Sequence, residues 1–161
     1  MKSQKSDVMT ILFWLNFFVF ALHIMDETLM SGGFVNFIQR HFWPGFALND
    51  FAVANAVWLI LIGISNILYD FIGNRTEYLA MLPLFFVWER CLNGIFHIAT
   101  TIWFKEYSPG LITSFMFFVL LYMICRFGVL KGHLRWKVLI LSSVPAIIFE
   151  VLFISSMWWA H

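Results

Sequence analysis

Seven side chains in this sequence have the types and spacing to do chemistry together. His23, Asp26 and Glu27 stand near the end of a first apolar run, and on one continuous helix they fall at i, i+3 and i+4, sharing a face. Glu89, Asn93 and His97 recur at intervals of four, which stacks them as a polar stripe over roughly 12 Å of helix. Tyr107 follows, just before a Pro109-Gly110 turn. Imidazole and carboxylate donors in one place form the mixed shell that a catalytic zinc accepts with a water position left open, and His23, Glu27 and His97 are the expected ligands. Asp26, Glu27, Glu89, Asn93 and Tyr107 are the candidates for general acid, general base and polarising roles. A metal lowers the pKa of its water and a free carboxylate takes the proton, which amounts to hydrolysis of an ester or amide. Iron or manganese would also accept these donors, but the sequence has no Glu-x-x-His pair of the kind that builds di-iron sites in bundles.

The elements that must position these groups are membrane helices. Of 161 residues, 61% are hydrophobic, 20% aromatic and only 12% charged, which excludes an ordinary soluble domain. About 20 apolar residues span a hydrocarbon core, and segments 8–25, 50–72, 78–104, 111–130 and 136–159 reach or approach that length. The expectation is an all-α, polytopic bundle of about five transmembrane helices in a single domain, 1–161. The basic start is read as leading into an uncleaved first helix, because no small-x-small cleavage site precedes His23. Pro83 is expected to kink the third span. Segments 73–77 and 131–135 read as short polar turns between antiparallel neighbours. The longer 29–49, with an amphipathic centre between Ser31-Gly32-Gly33 and Trp43-Pro44-Gly45, reads as an interfacial helix or lid.

With five spans, Lys2, Lys5, Arg75, Arg126, Lys131, Arg135 and Lys137 fall on one side and Arg40 and Lys105 on the other. The positive-inside bias then puts the N-terminus in the cytoplasm and the C-terminus and the site toward the outer face; a bacterial cytoplasmic membrane is the expected setting. Trp43, Trp103, Trp158 and Trp159 would mark the outer interface and Trp136 the inner one. In this topology His23, Asp26, Glu27 and His97 reach the same face. Arg90 stands about 100° from Glu89 around the helix, which leaves it free to pair with a carboxylate of another helix such as Glu150. His41, His133 and His161 read as loop or terminal histidines. A net charge of +1 without a basic run gives no reason to expect nucleic acid. Cys91 and Cys125 lie in apolar segments and read as packing thiols.

The order His23-x-x-Asp26-Glu27, then Asn93-x-x-x-His97, then Tyr107-Ser108-Pro109-Gly110 with Thr113 just beyond, resembles the HXXEE-motif family of small integral membrane proteins. That family is marked by an HXXEE motif, a second histidine and a YXPG motif. The resemblance covers most of the chain and implies a membrane protein of unknown function with suspected enzymatic activity. One position departs from the pattern: Asp26 replaces the first glutamate, keeping the charge and shortening the reach by one methylene. Glu27, in phase with His23, is the expected inner ligand of the two.

The partners expected are membrane lipids and a lipid-like substrate entering laterally, since a bundle this narrow has little aqueous vestibule; homo-oligomers are compatible with so short a chain. A metal-dependent membrane hydrolase is the leading reading. Two others stay open: a metal-free acid and base isomerase or cyclase of an isoprenoid or sterol-like lipid, and a protein that binds or transports lipid or metal. No inverted repeat supports ordinary secondary transport.

Overall fold

The computed structural model describes residues 4–30, 32–72 and 77–159, and among these it contains helices and no strands. Lys2, Arg75, Ser31, His161 and most of the 73–77 turn lie outside the described residues, as do the side chains of Lys5, Trp158 and Trp159. Helix α1 is Gln4–Leu29, α2 Phe34–His41, α3 Leu48–Ile72, α4 Met81–Phe104, α5 Leu111–Met123 and α6 Trp136–Trp159. Five continuous helical runs are long and apolar enough to cross a membrane, Val8–Leu29, Leu48–Ile72, Tyr78–Phe104, Leu111–Val129 and Trp136–Ser156, so the chain is an all-helical, multi-pass membrane protein.

α4 is the most buried span and packs against α1, α3, α5 and α6. Its polar stripe explains the placement: a helix with ionisable groups near its middle must turn them toward protein, whereas the apolar faces of α3 and α6 can meet lipid. α1 is tied to α3 by polar groups away from the site. The Thr10 hydroxyl and Trp14 indole donate to Asp70 at 2.7 and 2.8 Å, and the Asn66 amide donates to the Phe13 carbonyl at 3.0 Å.

Pro83 stands at the start of α4 rather than in its interior. α4 begins at Met81 after a 3-10 turn, Glu77–Ala80, so Pro83 lies in the first turn, where its missing N–H would have had no helical partner. α5 ends in a π turn, Ile124–Val129, against which Met9 packs so closely that a Cβ on Gly128 would lie 2.7 Å from its sulfur. The amphipathic centre of segment 29–49 is α2, which buries Phe34, Phe37 and Ile38 against Phe42, Phe51 and Phe96 over one end of the bundle. The end of α2 is fastened to the loop after α4, because Arg40 pairs with Glu106 and His41 Nε2 lies 2.8 Å from the same carboxylate.

Candidate functional site

α1 continues through residue 29 as one helix, so His23, Asp26 and Glu27 stand on it one turn apart. His23 and His97 are fully buried and Glu27 is 4% exposed. Nε2 of each histidine lies 3.5 Å from Glu27 Oε1, and neither has a hydrogen-bond partner among the described residues. The rings of His23 and His97 stand nearly edge to face, with centroids 5.1 Å apart. The donor atoms of His23, Glu27 and His97 all fall within 4.8 Å of one another. Two ligands bound at 2.0–2.1 Å with a tetrahedral angle between them are about 3.3 Å apart. The observed 3.5 Å is close to that edge and longer than a good hydrogen bond.

The other imidazole nitrogens are held from behind. His23 Nδ1 is 2.8 Å from the Thr113 hydroxyl, and that hydroxyl is 2.8 Å from Asp26 Oδ2. A hydroxyl has one proton, and the carboxylate is a better acceptor for it than the Gly110 carbonyl at 3.2 Å. The Thr113 oxygen therefore accepts from His23 Nδ1–H, which leaves the Nε2 lone pair facing Glu27 and His97. This is the tautomer that a metal ligand needs. His97 Nδ1 lies 2.9 Å from the Ser108 hydroxyl, whose backbone N–H in turn donates to Thr101 Oγ1 at 3.1 Å.

Asp26 thus acts one layer out. It also accepts from the Thr113 backbone N–H at 3.1 Å, capping the start of α5 from another helix, where the helix dipole favours a negative charge. The Tyr107 hydroxyl donates to its other oxygen at 3.1 Å. Burial, and then the Asp26 charge, hold the Tyr107 hydroxyl above the ordinary tyrosine pKa, so it keeps its proton for that bond.

Gly110 closes the site. Its φ is +101°, and a Cβ there would lie 2.8 Å from Cε1 of both His23 and His97 and 2.9 Å from Glu27 Cγ. Only glycine lets the backbone approach three side chains this closely in this conformation. Phe34 of α2 covers His97 from another side, with ring centroids 5.5 Å apart.

A cavity of about 90 Å³ opens beside Glu27, lined also by Asn93, Glu89 and Arg90 of α4, by Asn55 and Trp58 of α3 and by Phe149 of α6. Asn93 presents a buried Oδ1 with no partner among the described residues. Glu89 and Arg90 are brought together more tightly than expected: the Arg90 Nε and Nη2 donate to both oxygens of Glu89, and the guanidinium lies 4.5 Å over the Phe20 ring. Arg90 therefore grips its neighbour in sequence rather than Glu150, because its planar guanidinium completes a bidentate pair with Glu89.

The sequence-derived residues accordingly separate into layers. His23, Glu27 and His97 converge; Asp26 and Tyr107 lie behind them; Asn93 and Glu89 line the cavity one and two turns further along α4. Thr113 and Ser108 are not among the site residues that the sequence indicates. Their signal was present, since both are hydroxyl residues within three positions of Gly110, but a lone hydroxyl has many local uses and only the fold aims it at an imidazole.

A family model described as "Protein of unknown function with HXXEE motif" matches residues 14–125, which includes every residue of the convergent set and its supports. Searches of curated proteins and of solved structures found no match.

Proposed function

From the premise that the chain belongs to the HXXEE-motif family, whose function is unknown, we propose that it is a metal-dependent membrane hydrolase acting on a lipid or other amphiphile. The observation that carries this reading is the pair of buried histidine Nε2 atoms, each without a hydrogen-bond partner among the described residues and 3.5 Å from one Glu27 oxygen. His23, Glu27 and His97 would hold the ion. Zinc suits the spacing best, and iron or manganese would accept the same donors. An ion there supplies a water of lowered pKa and polarises an ester or amide carbonyl.

The chain's own groups do the rest. Thr113 with Asp26, and Ser108, orient the two imidazoles. Glu27 is the one member of the three that lines the cavity, so it faces the substrate side. Asn93 offers its amide to a substrate polar group, and the Glu89–Arg90 pair supplies charge in an otherwise aromatic wall. A volume of about 90 Å³ takes only a small polar portion, so the apolar remainder of the substrate extends between α3 and α6 toward lipid.

The test is metal analysis of the detergent-purified chain after reconstitution with zinc, iron or manganese, beside His23→Ala and His97→Ala. One equivalent in the wild type and a loss in both variants are expected. A folded wild type that takes up none of the three ions refutes the reading and favours metal-free acid and base catalysis.

The site end is proposed to face away from the cytoplasm, because Arg126, Lys131, Arg135 and Lys137 cluster at the opposite end. Asn49→Cys and Lys131→Cys, each at an exposed position in a chain with Cys91 and Cys125 replaced, should label from opposite sides. Labelling of position 49 only from the cytoplasm would invert the orientation.

A further inference from the structure

The seam between α4 and α6 has a second side. There a groove of about 550 Å³ runs between the two helices, with Phe42 from the end of α2 at its rim. This volume is within the range of small-molecule sites, and none of the seven site residues lines it. Ile95 of α4 and Ile147 of α6, on its walls, are 52% and 47% exposed, so the groove is open toward the surrounding lipid. The α6 wall also lies outside the 14–125 match to the family model.

One residue does not suit an ordinary lipid-facing groove. Glu150 lines it, is 5% exposed, and has both carboxyl oxygens buried without a hydrogen-bond partner among the described residues. The charges that act on it are Glu89 and Arg90, and these are spent on each other. The Thr100 hydroxyl, also in the wall, donates to the Phe96 carbonyl at 2.8 Å. A carboxyl group in a spanning helix is costly unless something bonds to it, and the groove that Glu150 lines has room for a partner once the side chain turns toward it.

We infer that the groove binds a lipid alcohol, with its hydroxyl on Glu150 and its apolar chain lying along the α4–α6 seam. A hydroxyl both donates and accepts, so it satisfies a carboxyl group in either protonation state. An alkane chain leaves Glu150 unpaired, and an ammonium brings a full charge into a wall with no second acceptor to share its desolvation. Ile154 is one helical turn beyond Glu150, about 6 Å, so the hydroxyl sits just below the rim while the chain runs past Ile147. This site stands independently of the metal reading.

The experiment uses the full chain in phosphatidylcholine vesicles with a diazirine-bearing hexadecanol, and the crosslinks are mapped by mass spectrometry. Label is expected on peptides containing Ile95 and Ile147, displaced by unlabelled hexadecanol and not by hexadecane. Glu150→Leu should weaken labelling about tenfold, the worth of roughly one hydrogen bond, while Glu150→Gln, which still donates and accepts, should retain most of it. Ile95→Trp fills the groove from the facing helix α4 and leaves the α6 carboxyl and its neighbours unchanged in sequence; it should abolish labelling, which controls against misfolding at the carboxyl. Equal displacement by hexadecane would mean an ordinary lipid chain, and stronger displacement by hexadecylamine a cation site. Either result, or unchanged labelling in Glu150→Leu, overturns the inference.

Discussion

Gly110→Ala tests the site most directly, because the structure sets the size of the perturbation. The added methyl would lie 2.8, 2.8 and 2.9 Å from His23 Cε1, His97 Cε1 and Glu27 Cγ, where ordinary contact begins at 3.4 Å. Each group must yield by about 0.5–0.6 Å, at or beyond the ~0.5 Å within which a ligand set has to be held. The turn cannot retreat freely, since the Gly110 carbonyl accepts from the Ser114 N–H at 3.0 Å and from its hydroxyl at 2.8 Å. Left-handed strain of about 1–2 kcal/mol and overpacking of about 1–3 kcal/mol together destabilise by roughly 2–5 kcal/mol. At about 2–4 °C per kcal/mol for a chain of this size, the melting temperature should fall by roughly 4–20 °C.

Gly132→Ala is the matched control. Its φ is +74° and a Cβ there meets nothing within 4 Å, so it carries the backbone strain without the contacts. Melting curves and zinc titrations of both variants in detergent separate the two effects. Gly110→Ala is expected to lose about 10–100-fold in metal affinity, the scale of a disturbed ligand support, and Gly132→Ala to bind as the wild type does. A Gly110→Ala protein with wild-type affinity, or a Gly132→Ala protein that loses as much, would refute the reasoning.

Three further outcomes are expected. Asp26→Ala and Thr113→Val each release His23 Nδ1 from its support and should lower zinc affinity about 10–100-fold; calorimetry should find the double variant little worse than either single one, because the two residues act in series. Arg90→Ala strands the buried Glu89 carboxylate and should cost about 3–5 kcal/mol, whereas Glu89→Leu with Arg90→Met should be near neutral by denaturation in detergent. The Arg40–Glu106–His41 latch should depend on acid: the hydrogen bond from His41, followed by Arg40, holds the Glu106 carboxyl below its usual 4.5. Its stabilisation is therefore complete above about pH 4.5 and lost as pH falls through the lower folded value. Amide exchange of the 105–110 loop should accelerate over that acidic range in the wild type and show no such step in Glu106→Gln.

Sequence alone determined the spans and the pairing of His23 with Glu27 on one helix face, and both for local reasons. Apolar runs long enough to cross a bilayer have little alternative to helix, since lipid offers no partner for the backbone. The i, i+4 spacing of His23 with Glu27 holds on any straight helix, so Glu27 could be preferred over Asp26 before any tertiary contact was known. The same local reasoning failed at Pro83, because whether a proline kinks a helix or begins one depends on where the helix starts, and polarity in 73–77 does not locate that start within a turn.

Tertiary structure decided everything that depends on direction across helices. Sequence spacing cannot say that Asp26 reaches His23 through a threonine on α5, that Ser108 backs His97, or that Gly110 is small because three side chains from two other helices press against it. Nor could it choose between Glu89 and Glu150 as the partner of Arg90, since both were within reach of a long side chain and only packing fixed its rotamer. The chain thus carries its candidate ligands in its sequence, while the geometry that would make them a site exists only once α1, α4 and the turn before α5 are packed together.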